Sequence, residues 1–121
     1  MFLLDEIAMS KLDDVINELV KFRDERDWSQ FHDSKNLALA ISIEAAELNE
    51  LYLWKNSIEE IETVDRDRLS EELADVLAFS LLLAEKNNLD VVEILQKKIK
   101  KNASKYPVNK ARGTAKKYSE L

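Results

Sequence analysis

Cysteine is absent from this 121-residue chain, and glycine, proline and histidine occur once each. Without cysteine there is no disulfide, no thiolate nucleophile and no Cys-ligated zinc site. A single glycine and a single proline leave few turn-formers or helix-breakers, so the composition suits helices joined by short connections. No uninterrupted apolar run is long enough to span a bilayer, and the opening MFLLDEIAMS reaches Asp5 and Glu6 too soon for a secretory signal. The expectation is an all-α, cytoplasmic domain with no membrane partner. Its length allows only a modest core, which a second copy of the chain would extend.

Positive charge is scarce over most of the chain and concentrated at its end. Residues 97–121 hold nine Lys/Arg against Glu120 alone, whereas residues 1–96 hold nine against twenty-three acids, for a net charge of -6. The basic segment offers a nucleic-acid reading, but the acidic body opposes close approach to a phosphate backbone. Nucleic acid is therefore not the expected partner; a solvated tail or a small phosphate ligand suits the pattern better.

Four helices are expected. Ser10 is a candidate N-cap for the first, in which Leu12, Val15, Ile16, Leu19 and Phe22 recur at helical spacing to about Arg26. After the aromatic break RDWSQFHDSK, Asp33 or Ser34 caps a second helix running to about Trp54. A connection with one helical turn precedes a third helix, from about Asp67 to Lys86, ended by Asn87 and Asn88. Asp90 caps a fourth, which runs to about Ser104 and is stopped by Tyr106 and Pro107. This divides the chain into a domain over 1–107 and a basic, flexible tail over 108–121. The stretch VLAFSLLLA, Val76 to Ala84, is apolar on nearly every side and needs cover all round, which points to a homo-oligomer, dimer or tetramer.

Two acids interrupt apolar stripes. Leu37, Ile41, Leu48 and Leu51 share one face of the second helix with Glu44 in their midst, and Glu72 lies within the arc of Leu69, Leu73, Val76, Phe79 and Leu83 on the third. Each has an acidic neighbour one turn on, Glu47 and Asp75. Burying an unpaired carboxylate costs several kcal/mol, and grouping several adds repulsion. A divalent cation relieves both penalties. With oxygen ligands only, Mg²⁺ or Mn²⁺ suits the set better than zinc, and a di-iron bundle would need a histidine at the matching spacing, where His32 does not fall. Mg²⁺ held by carboxylates leaves positions for water and substrate phosphates, which directs attention to phosphate chemistry. The competing readings are acids held in solvent or paired with lysines in a non-catalytic helical interaction module.

The segments RDWSQFHDSKNLALAISIEAAELNELYLW, EELADVLAF and KNASKYP, in this order, resemble the MazG-like all-α nucleotide pyrophosphohydrolases, specifically the dCTP-pyrophosphatase type. The resemblance spans about Leu12 to Pro107. It implies a four-helix bundle that hydrolyses nucleoside triphosphates to monophosphate and pyrophosphate, with Mg²⁺ on Glu44, Glu47, Glu72 and Asp75, one of which (Glu47 is the choice here) acts as base. It further implies a base pocket formed by Trp28, Trp54 and Phe79 with His32 near the nucleotide. Lys35, Asn102, Lys105 and Tyr106 then fall close to the phosphates or sugar, in a site built between subunits. Leu19 and Phe79 stand where similar enzymes carry a histidine and a tyrosine, so cytosine selectivity does not follow from the resemblance.

Overall fold

The computed structural model describes the backbone from Phe2 and the side chains from Lys11 to Leu121. All regular structure among the described residues is helical, as the composition required: α1 Phe2–Glu25, α2 Ser34–Glu50, α3 Ile58–Glu62, α4 Arg66–Lys86, α5 Val91–Lys105 and α6 Val108–Ala111. Single 3₁₀ turns stand at Ser29–Phe31 and Tyr118–Glu120. Among the described residues no helix is long and apolar enough to cross a membrane.

Aspartates begin three of the long helices by accepting amide protons that the first turn leaves without partners. Asp33 accepts from the Asn36 amide at 2.7 Å. Asp65 accepts from Asp67 and Arg68, and Asp90 from Glu93 at 2.9 Å. Asn87 closes α4, its side-chain amide donating to the Leu83 carbonyl at 2.9 Å.

Two expected boundaries move. Backbone helix continues from Phe2 through Ser10, so Ser10 caps nothing: the run MFLLDEIAM carries too few helix-breakers to stop propagation. The second helix ends at Glu50 rather than Trp54, since Leu51–Trp54 form a succession of turns closed by Trp54 at φ 65°.

The chain forms two compact units, Met1–Asn88 and Leu89–Leu121. In the first, α2 and α4 are the main packed pair and α1 lies against α4. Leu37, Leu51, Leu82 and Ala84 are its buried apolar side chains. Much apolar surface stays open on the same two helices: Leu39, Ile43, Leu73 and Leu77 are 44–55% exposed. In the second unit, the Lys105 ammonium sits 4.7 Å from the centre of the Tyr118 ring, which meets Tyr106 edge-on at 6.1 Å. The segment after Pro107, expected as a flexible tail, thus carries α6 and an aromatic contact back to the end of α5.

Candidate functional site

Helical periodicity places the acids. Leu37 and Leu51 are buried at either end of one α2 stripe, and Glu44 lies two turns from each, so it is held on the core-facing side. On α4, Asp75 lies two turns before buried Leu82, with Glu72 one turn further back. Because α2 and α4 are packed together, the two faces meet. One carboxylate oxygen from each of Glu44, Glu72 and Asp75 lies within 4.8 Å of the others.

Glu44 and Glu72 are half-buried, and the Oε2 atom of each is shut off from solvent without a hydrogen-bond partner. Burial, followed by the adjoining carboxylate of Glu47 and the charges of Asp75 and Glu72, pushes Glu44 up to about 7. Glu72 is raised for the same first reason, then by Glu47 and Asp75, with Arg68 one turn earlier pulling the other way. Among the described residues none of these four acids is ion-paired with a lysine or arginine. A cluster of carboxylates whose buried oxygens lack donors fits a hard divalent cation, which takes several oxygens at once and offsets their repulsion. Glu47 is exposed and outside the tight threesome, yet next to both half-buried glutamates.

Glu44 and Asp75 also line a cavity of about 420 Å³. Its walls are otherwise largely apolar, formed by Leu19, Phe22, Trp28, Ala78, Phe79 and Leu82. Trp28 meets Phe22 edge-on at 5.7 Å, and the Arg26 guanidinium lies 3.7 Å over the Phe22 ring, holding these aromatics in place. His32 meets Phe79 edge-on at 6.2 Å. Its Nδ1 is buried without a partner, and burial, then the charge of Arg23, lowers its pKa, so the ring is neutral at pH 7. A mostly apolar slot that opens on a carboxylate cluster suits a ligand with a flat ring at one end and anionic oxygens at the other.

Of the residues expected at the site, Glu44, Glu72, Asp75, Trp28, His32 and Phe79 are thus gathered within the first unit. Lys35 is exposed in the first turn of α2. Trp54 does not line the cavity; it is 83% exposed. Asn102, Lys105 and Tyr106 belong to the second unit, where the Tyr106 amide donates to the Asn102 carbonyl at 2.8 Å. The cavity also contains Arg23, which sequence reasoning passed over. A signal was present: Arg23 follows Leu19 by four residues and so shares its stripe, as Glu44 shares that of Leu37.

Comparison with known proteins gives the same direction. The profile of the MazG-like family matches residues 39–121. dCTP pyrophosphatase 1 from Rattus norvegicus is 39% identical over 114 residues, covering 91% of this chain and 67% of that protein. The Homo sapiens protein of the same name is 38% identical over 114 residues, with the same coverage of 91% and 67%. Among solved structures, a pyrophosphatase from Archaeoglobus fulgidus superposes with a TM-score of 0.78 at 38% identity, covering 80% of this chain and 93% of that one.

Proposed function

Given that the chain belongs to the MazG-like family and, within it, to the dCTP pyrophosphatase group, we propose that Glu44, Glu47, Glu72 and Asp75 form a Mg²⁺-dependent hydrolytic centre. The chain is a nucleoside triphosphate pyrophosphohydrolase: water and a nucleoside triphosphate give the monophosphate and pyrophosphate. The observation that carries the metal-site reading is the pair of buried, partnerless Oε2 atoms of Glu44 and Glu72, close to a cavity of about 420 Å³ lined by Trp28 and Phe79.

Mg²⁺, or Mn²⁺ in its place, supplies neutralisation of triphosphate charge and acidifies water when bound. The chain's own groups hold and orient the substrate. Glu47, exposed and adjacent to Glu44 and Glu72, accepts the proton of the attacking water. Trp28 and Phe79 offer aromatic faces to the base, a contact that favours every base and selects weakly. Neutral His32 adds a hydrogen-bonding edge, and Lys35 a cation for phosphate oxygens. Trp54, exposed and away from its own cavity, serves the site of a second copy in a homo-oligomer. The role is housekeeping of the cytoplasmic nucleotide pool.

Release of pyrophosphate across a panel of ribo- and deoxynucleoside triphosphates with Mg²⁺ tests this reading. Monophosphate and pyrophosphate should appear in equal amounts. Orthophosphate as the first product, or no turnover of any nucleotide, defeats it.

A further inference from the structure

Among the described residues Arg23 is the one cation on the wall of the cavity. Its side chain retains only 14% of its accessible surface, so it is not an ordinary surface arginine. Two contacts fix it: Nε donates to the Asp24 carboxylate at 2.9 Å, and Nη1 donates to Glu85 on α4 at 3.2 Å. A guanidinium carries five N–H groups, and Nη2 has no protein acceptor among the described residues. The two carboxylates hold the fork in one orientation while leaving part of it unsatisfied. The other polar groups lining the cavity are His32, the indole N–H of Trp28 and the carboxylates of Glu44 and Asp75. A base in this slot therefore has few partners for its edge, and one of them can only donate.

We propose that Arg23 reads the exocyclic group of the bound base and favours an oxo group over an amino group, a selection resting on the nucleotide-pyrophosphatase reading above. An oxo group at purine position 6 or pyrimidine position 4 accepts from the free Nη2. An amino group at the same position sets donor against donor in a largely apolar slot, the arrangement that produces discrimination between near-isosteric ligands. Leu19 and Phe79 add no polar atom that could rescue the amino form. The preferred substrates are then triphosphates of hypoxanthine, guanine, uracil or thymine rather than adenine or cytosine, a class that includes the products of base deamination.

Two matched pairs exchange oxo for amino, together with the protonation of the adjoining ring nitrogen: dITP against dATP, and dUTP against dCTP. Binding is followed by calorimetry on the full chain, and turnover by pyrophosphate release. The full chain should bind and turn over each oxo member at least roughly tenfold better than its amino partner, mainly through KM. Arg23→Met should bring both ratios to within about twofold, while Glu85→Gln, which removes the charge of the tether but keeps the guanidinium, should retain a preference. Equal binding of the two members by the unaltered chain overturns the proposal. So does loss of the preference in Glu85→Gln to the same degree as in Arg23→Met, which makes the arginine a structural strut. If no nucleotide is turned over, the pyrophosphatase reading fails separately, and the binding ratios still decide the role of Arg23.

Discussion

Carboxylate oxygens of Glu44 on α2 and Glu72 on α4 lie within 4.8 Å of each other, and each residue has a second problem in its buried, unpartnered Oε2. Such a pair opposes folding until something positive joins it. Glu44→Gln should therefore leave the metal-free protein at least as stable as the parent, because one source of repulsion is gone. Mg²⁺ at a hundred times its Kd should stabilise the parent by ~2.7 kcal/mol, visible as several degrees in Tm, and should not stabilise the variant. Pyrophosphate release should fall by at least ~10²-fold, the scale of losing a charge-stabilising group at a reacting centre. Parallel melting curves with and without Mg²⁺ check the first part; an equal Mg²⁺ gain in both proteins contradicts it.

The raised Glu44 carboxyl gives the metal-free protein an unusual dependence on pH. Its pKa in the folded state is about 7 against an ordinary 4.5, so between these values the folded chain holds a proton that the unfolded chain has released. The folded state binds more protons across that window, and stability therefore falls as pH rises from 4.5 towards 7 and then levels. Excess Mg²⁺ should flatten or reverse this slope, since metal binding requires the ionised carboxylate. Below pH 7 the apparent Mg²⁺ affinity should drop by roughly tenfold per unit for each proton displaced. Denaturant titrations at several pH values, with Mg²⁺ or with a chelator, measure both slopes.

Helix content and the acidic pairs were legible because both rest on a local period. Leu37, Glu44 and Leu51 recur at two-turn spacing whatever the rest of the chain does, and Asp33 and Asp90 act on amides within three residues. What could not be read is which stripe faces which. Arg23 and Glu85 are 62 residues apart, and nothing local says that α1 and α4 bring them to 3.2 Å. Trp54 shows the converse: the family resemblance implies a pocket aromatic, but the residue has a left-handed backbone, is 83% exposed and is not among those lining the cavity with Trp28. The extension of α1 back to Phe2 was missed because Ser10 has the chemistry of a cap without the chain reversal that makes one necessary.

The two tryptophans should respond differently to substitution. Trp28 stands on the cavity wall with Phe22 against it, so Trp28→Ala removes a face for the base within one chain. Stacking on an aromatic is worth about 1–3 kcal/mol per base, so KM should rise about 5- to 100-fold for all bases alike, with kcat changed less. Trp54→Ala should raise KM only if a neighbouring chain uses that ring. Mixing Trp54→Ala with Glu44→Gln, each poorly active alone, should then restore part of the activity through exchange of subunits. No recovery after exchange places Trp54 outside the site of any copy.

A second copy of the chain would find open apolar surface on α2 and α4. Leu39 and Ile43 are one turn apart on α2 and 55% and 52% exposed; Leu73 and Leu77 are one turn apart on α4 and 44% and 53% exposed. Each pair presents a continuous apolar strip on helices that also carry the acidic cluster. Full burial of a leucine or isoleucine contributes about 1.5–3 kcal/mol relative to exposure, so covering the remaining halves of these four side chains makes a favourable seam before any other contact is counted. Leu77→Glu places a charge in that seam without touching the cavity wall. Light scattering of the parent should give a multiple of the 14.0 kDa chain mass, and Leu77→Glu should shift it towards a single chain. If Trp54 serves a neighbouring site, KM should rise together with that shift. A parent that already scatters as one chain at micromolar concentration removes both the seam and the shared aromatic.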